Sequence, residues 1–196
     1  MNLLKIMESA FNTDPTLKEE MLGNPWRPWK GTLMEGYRQL DPDKKGAVGE
    51  RIADILMAGR GHDIAPRANP GHDSIVDDIK TEYKFSAASK HPNKRNRLRQ
   101  DQAILNHLSL DKDWERCVYT VINISEESLE QVQPSQIVPE LHWFTKEDFE
   151  QHIAAGTGRG HAFSPQQGGK KVGNDDYMSD YKRLKKHGIL RPISEW

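Results

Sequence analysis

The chain has a single cysteine, Cys117, among its 196 residues, which excludes an internal disulfide and a metal cluster held by several thiolates. So little cysteine is typical of proteins in a reducing compartment. The chain also lacks any run of 18 or more apolar residues, and its opening MNLLKIMESAF lacks the regions of a secretory signal. We therefore expect a cytoplasmic protein without a membrane partner.

Several motifs are absent as well. The sequence contains neither a P-loop nor a dinucleotide-binding fingerprint, which argues against a nucleotide-driven motor. Its eight histidines form no helical zinc-binding pair. Aromatic residues are present in number, with five each of Trp, Tyr and Phe, so we expect a folded protein. The length favours one domain over 1–196, with a core over about 44–155, an N-terminal helical extension over 1–43 and a C-terminal basic extension over 156–196.

The net charge is only −1, but positive charge is unevenly distributed. Six Lys or Arg and no acid lie between residues 84 and 99, and the C-terminal part is also basic. Local basic stripes in a nearly neutral chain are typical of a protein that binds a polyanion on one face. The candidate contacts to phosphates and base edges are Lys90, Asn93, Lys94, Arg95, Arg97 and Arg99.

A second candidate contact segment is the glycine-rich stretch 156–171. Five glycines would let its backbone approach a nucleic-acid groove closely, whereas a disordered linker would have a similar composition. Its side chains suited to DNA are Arg159, Gln166, Gln167 and Lys170.

Hydrophobic periodicity predicts helices over 2–11, 45–58 and 95–109, and the β-prone runs at 116–124 and 137–144 predict strands. Thr145 and Asp148 have the spacing of a helix-capping box. This order predicts an α/β fold in which a small central mixed β-sheet is flanked by helices.

The stretch HDSIVDDIKTEYKFS, residues 72–86, reads as a hairpin with Asp77-Asp78 as its turn. In that register Asp73 lies opposite Glu82, and alternation puts both acids and Lys84 on one face. Directly opposed carboxylates repel one another, at a cost of up to about 1 kcal/mol. A Mg²⁺ ion shared between them would reverse that effect, and Lys84 could orient a bound water or stabilise charge on a phosphate. With a longer loop, Asp77 or Asp78 would approach the cation instead.

These residues resemble the PD-(D/E)XK nuclease superfamily, which includes many type II restriction endonucleases. Asp73 matches the first acid, Glu82-Tyr83-Lys84 matches the E-x-K, and Glu50 in KGAVGERIADIL matches a further acid on the preceding helix. The resemblance covers roughly residues 44–125. It implies a restriction-endonuclease-like core, with a sheet of four or five strands. Asp73, Glu82 and the Tyr83 carbonyl would bind Mg²⁺, Lys84 would position the attacking water and Glu50 would support the metal or its water.

The sequence therefore predicts a type II restriction enzyme that hydrolyses phosphodiester bonds in a specific double-stranded DNA site. Cleavage of both strands of a symmetric site calls for two such centres, which favours a homodimer. A junction resolvase-like, structure-specific nuclease would use the same residues. A DNA-binding module without catalytic activity is the third possibility, although it leaves the opposed acids unexplained. Glu50 is also compatible with a solvated helix position.

Overall fold

The structure, a computed structural model, describes residues 2–14, 17, 29, 31–37, 40–66, 71–90, 98–99, 103–124, 132–166 and 176–196, with backbone alone at 89–90 and 98–99. The helices are α1 (Leu3–Thr13), α2 (Pro42–Ala58), α3 (Lys146–Ala154) and α4 (Tyr181–Lys186). The strands are β1 (Ile64–Pro66), β2 (Ser74–Val76), β3 (Ile79–Ala87), β4 (Ser89–Lys90), β5 (Leu98–Arg99), β6 (Ile104–Ser109), β7 (Arg116–Ile124), β8 (Ile137–Thr145), β9 (Ser164–Pro165), β10 (Asp176–Asp180) and β11 (Arg191–Pro192). Within the described ranges, every helix is too short or too polar to cross a membrane.

The main sheet has six strands in the order β1-β2-β3-β7-β8-β11. Strands β3 and β7 run parallel, and the other neighbours run antiparallel. The α/β fold class with a mixed sheet is therefore confirmed. Six strands are present, rather than four or five, because the short strands β1 and β11 pair at the two edges. A smaller sheet has the order β6-β10-β9, and β4 pairs with β5.

The main sheet separates two hydrophobic cores, and alternation along β7 shows the division. Val118, Ile122 and Ile124 lie in the core that contains α1 and α2, whereas Cys117 and Tyr119 lie in the other. This second core is built from α3, α4 and the smaller sheet. The β-branched and aromatic residues of β7 suit a strand that is buried on both faces.

Helix α2 begins where the sequence predicts a helix, a few residues early, because the Asp41 side chain caps the Lys44 amide at 2.9 Å and Pro42 occupies the first turn. Its buried stripe includes Val48 and Ile52. Gly49 lies directly against β3, since a Cβ at that position would be 2.5 Å from Cβ of Phe85. This close approach places Lys45 and Glu50 of α2 near strand β3.

The helix expected over 95–109 is wrong for the part that the structure describes. Residues 104–109 form β6, which pairs antiparallel with β10. The burial of Leu105 and Leu108 has helical spacing, but β6 contains a left-handed residue, His107, at φ 52°, and its register with β10 shifts. Because of this irregularity the buried residues of β6 are spaced three apart, as they would be in a helix. Pairing with β10 nevertheless makes the segment a strand.

The predicted hairpin register is confirmed, with Val76 opposite Ile79 and Ser74 opposite Thr81. Asp77 and Asp78 both have positive φ, at 50° and 65°, as the mirror-image turn of a two-residue hairpin requires. The Asp77 carboxylate accepts from the Asp63 amide at 2.8 Å and contacts His62 at 2.7 Å. These contacts point Asp77 away from Glu82, so the alternative in which a longer loop brings it to the site is wrong.

Candidate functional site

A cleft of about 550 Å³ opens on the face of the main sheet that carries Glu82 and Lys84. Its walls are the start of α2, strand β3, strand β6 and the loop before β7. The charged residues of its lining are three lysines and three carboxylates, namely Lys45, Lys84, Lys112, Glu50, Asp73 and Glu82. Tyr83 lines it too, so the cleft contains all five residues that the sequence proposes for catalysis or metal binding.

Glu82 is the most deeply buried charged group of the cleft, with a side chain that is 0% exposed. Its Oε1 accepts hydrogen bonds from the ammonium groups of both Lys84 and Lys112, each at 2.7 Å. Its Oε2 is buried and has no hydrogen-bond partner among the described residues. A buried carboxylate oxygen without a partner costs on the order of 1–3 kcal/mol, so this oxygen is well suited to bind a positively charged ligand.

Asp73 lies one residue before β2, because the ladder ends at the pair of Ser74 and Thr81. The backbone fixes it on both sides: its amide donates to the Thr81 carbonyl at 2.9 Å, and its Oδ2 accepts from the Tyr83 amide at 2.8 Å. Burial, followed by the nearby charge of Glu82, raises the pKa of Asp73 above its usual value. The predicted pair of Asp73 with Glu82 is therefore not part of the ladder, although the charge of Glu82 still acts on Asp73.

Lys84 points from the same side of β3 as Glu82, two residues along the strand, and its side chain is only 15% exposed. Burial would lower the pKa of Lys84, but the charge and hydrogen bond of Glu82 raise it above its usual value. Lys84 therefore remains an ammonium that is held beside a carboxylate. An ammonium fixed in this way can donate a hydrogen bond to a water or to a phosphate oxygen.

Asp73 and Glu82 are the described residues best suited to hold a divalent cation. Their donor atoms are hard carboxylate oxygens, which Mg²⁺ prefers, and two carboxylates leave other coordination positions for water and a phosphate. Glu50 lines the same cleft and is half-buried. Within the described part of the chain, however, no three acidic, histidine or cysteine side chains form a ligand group. The support that Glu50 would give to a cation or its water stays a prediction.

Lys112 is a site residue that the sequence analysis missed. It lies in the loop before β7, 30 positions from Glu82 in the sequence. The parallel pairing of β3 with β7 sets Glu82 beside Cys117, which brings the residues just before β7 next to the hairpin. The chain offers only a weak signal for this residue, the charged run DKDWER, because its position depends on the register of two distant strands.

The far wall of the cleft is formed by β6, which contributes Asn106 and His107. The His107 side chain is 62% exposed, and its backbone adopts a left-handed conformation that is unusual for a residue with a side chain. Gln166 holds it with two contacts: its Oε1 accepts from the His107 amide at 2.8 Å, and its Nε2 lies 2.9 Å from the imidazole Nε2. Two polar side chains therefore face the carboxylates across the cleft.

No protein-family model matches the sequence, and no curated protein matches it significantly. Among solved structures, the chain is similar to the crystal structure of the restriction endonuclease BglI bound to its DNA recognition sequence. The similarity spans 96% of this chain and 87% of BglI at 9% sequence identity, with a TM-score of 0.34. This TM-score is too low to support a conclusion about fold or function, so the proposal below depends on the geometry of the chain itself.

Most of the predicted DNA contacts fall where the structure does not describe side chains. Asn93, Lys94, Arg95, Arg97, Gln167 and Lys170 lie outside the described residues, and Lys90 and Arg99 are described as backbone only. Arg159 is exposed on the loop after α3 and does not line the cleft. Gln166 reaches the cleft indirectly, through His107. The role of these residues in DNA binding remains a prediction.

Proposed function

We propose that this protein is a Mg²⁺-dependent endonuclease that hydrolyses phosphodiester bonds in DNA. One observation carries the proposal: Asp73, Glu82 and Lys84 converge on one open cleft, where Glu82 has a buried oxygen without a partner among the described residues. A purely structural site would gain little from such an arrangement, because two nearby carboxylates repel each other and an unpaired buried oxygen is destabilising.

In this proposal Asp73 and Glu82 hold the cation, with the Tyr83 carbonyl as a further ligand and Glu50 at the edge. When bound, Mg²⁺ would polarise a phosphate oxygen and acidify a coordinated water. Lys84 donates a hydrogen bond to the attacking water and keeps its lone pair directed at phosphorus. The water oxygen bonds to phosphorus and releases one proton to solvent, one ester P–O bond breaks, and the leaving sugar oxygen takes up a proton from solvent.

The finer form of the proposal is a type II restriction enzyme that acts as a homodimer on double-stranded DNA. It is supported by the basic stripe between residues 84 and 99, which directly follows the strand of Lys84. Asn106 and His107 on the far wall would add side chains that can reach base edges. A symmetric pair of centres would cut both strands of a symmetric site.

The test is incubation of the full chain with supercoiled plasmid and with linear duplex, with Mg²⁺ and with a chelator. The wild type should give discrete fragments only with Mg²⁺, and Lys84→Ala should reduce the rate by at least about 100-fold, as expected when a group that acts on the transition state is removed. Lys80→Ala is the matched control, since Lys80 belongs to the same strand but pairs with Asp113 outside the cleft.

The same experiment separates the competing functions. Cleavage of branched junctions alone would support the resolvase-like nuclease. DNA that is retarded on a gel but stays intact with Mg²⁺ would contradict catalysis and leave a binding module. Equal rates for Lys84→Ala and Lys80→Ala would refute the assigned role of Lys84.

A further inference from the structure

Glu82 has an unusual set of partners, since two ammonium groups share one of its oxygens while the other oxygen has none among the described residues. One lysine would suffice to neutralise one carboxylate. The second, Lys112, is bonded to Glu82 and also acts electrostatically on Asp73, so it holds a positive charge at the place where a cation would bind. Positive groups that crowd a carboxylate compete with a metal ion for it.

The two lysines differ in their freedom to move. The side chain of Lys84 is 15% exposed, whereas that of Lys112 is 41% exposed and reaches Glu82 from the mouth of the cleft. The backbone of Lys112 is fixed, because its carbonyl accepts from the Lys146 ammonium at 2.7 Å. The neighbouring Asp113 pairs with Lys80 at 2.7 Å, but both side chains are exposed, so this ion pair contributes little to holding the loop. Movement is thus confined to the long side chain of Lys112, and the loop that carries it stays in place.

The charge of the cleft gives a reason for that movement. Among the residues that the structure describes, its three lysines balance its three carboxylates. A divalent cation alone would leave two surplus positive charges in a site that is partly shielded from water, where such a surplus is costly. A DNA phosphate offsets one of these two charges, and an ammonium that leaves Glu82 for that phosphate exchanges one charge-assisted hydrogen bond for another.

We infer that Lys112 is a second substrate-binding lysine, which rests on Glu82 while the site is empty and transfers to a DNA phosphate when the cation binds. This inference rests on the nuclease proposal above. Lys84 stays on the protein side of the centre and acts on the attacking water, while Lys112 links occupancy of the cation site to occupancy by DNA. By linkage, the cation then raises the affinity for DNA by the same factor as DNA raises the affinity for the cation.

Substitution of Lys112 by methionine tests this role, because methionine keeps much of the side-chain length and removes the charge. Lys80→Met is the matched control: Lys80 pairs with a carboxylate at the same 2.7 Å and is similarly exposed, at 44%, but lies outside the cleft. Both proteins are titrated with Ca²⁺ in the absence of DNA by calorimetry. Duplex binding is measured by fluorescence anisotropy at several salt concentrations in saturating Ca²⁺, with a short mixed-sequence duplex.

Lys112→Met should bind Ca²⁺ roughly tenfold more tightly than wild type without DNA, because the competing ammonium is gone. It should bind the duplex more weakly, with a salt slope reduced by about one, as expected for one lost phosphate contact. The increase in Ca²⁺ affinity caused by the duplex should be smaller than in wild type. Lys80→Met should match wild type in all these measurements.

Two outcomes would overturn the inference in distinguishable ways. If Lys112→Met matches Lys80→Met in Ca²⁺ affinity, duplex affinity and salt slope, Lys112 only pairs with Glu82, and a nuclease that still cleaves plasmid keeps its proposed function. If wild type and Lys112→Met both fail to bind Ca²⁺ and do not cleave plasmid with Mg²⁺, the metal centre itself is refuted, and the role of Lys112 fails with it.

Discussion

Gly49 is the point at which the helix beside the site meets the sheet that carries the acids. A Cβ built on Gly49 would lie 2.5 Å from Cβ and 3.0 Å from Cγ of Phe85. Neither contact involves the far end of a flexible chain, so α2 or β3 has to shift. Gly46, on the same helix, has nothing within 4 Å of its Cβ position. Substitution of Gly46 by alanine therefore changes helix propensity alone, whereas substitution of Gly49 changes helix propensity and packing.

Through helix propensity alone, each Gly→Ala substitution should raise the free energy of unfolding by about 0.5–1 kcal/mol. Gly46→Ala should keep this gain and stabilise the protein. Gly49→Ala has the same gain but forces overpacking, which typically costs about 1–3 kcal/mol. The difference between the two variants should therefore be about 1–3 kcal/mol in the free energy of unfolding. For a protein of this length that corresponds to a separation in Tm of roughly 2–12 °C.

Urea unfolding of both variants, followed by circular dichroism, measures the difference directly. The midpoints should separate with unchanged slopes, because the two native states expose similar surface on unfolding. Gly49→Ala should in addition weaken the site, since the displaced helix carries the neighbouring Glu50. Equal stability of the two variants would refute the conclusion that α2 and β3 are in direct contact at Gly49.

Two further predictions concern Glu140 on β8 and Cys117 on β7. Burial on its own would raise the pKa of Glu140, but hydrogen bonds from His142, Tyr181 and Asn123 lower this pKa to about 2, from 4.5. The ionised Glu140 carboxylate therefore contributes its full stabilisation above about pH 4.5, and this contribution is lost as the pH falls towards 2. The difference in unfolding free energy between wild type and Glu140→Gln should shrink over that interval. A constant difference would contradict a hydrogen-bonded carboxylate at this position. Burial raises the pKa of the Cys117 thiol, so this thiol should be unreactive in the native protein. A thiol-specific colorimetric reagent should react with one thiol per chain in denaturant and with none in the native protein. Rapid reaction of the native protein would contradict the burial of Cys117 in the second core.

Local sequence signals predict the hairpin and its neighbours well. The register around Asp77-Asp78 follows from the turn length and from alternation, and the structure has the predicted pairs from Val76–Ile79 to Ser74–Thr81, with Asp73 just outside the ladder. Thr145 and Asp148 form the expected capping box. The β-prone run 116–124 is a strand buried along nearly its whole length. In each case the deciding interactions lie within a few residues of one another, so a short window of sequence contains them.

Only the tertiary structure brings Lys112 to Glu82, and only pairing with β10 makes β6 a strand. Both depend on contacts between segments that are far apart in the chain. The parallel register of β3 and β7 fixes which loop borders the hairpin, and no local pattern encodes it. The sequence by itself determined that Glu82 and Lys84 share one face of β3, because alternation is a local property of a strand. The structure decided what faces them across the cleft, because that depends on how distant strands pair.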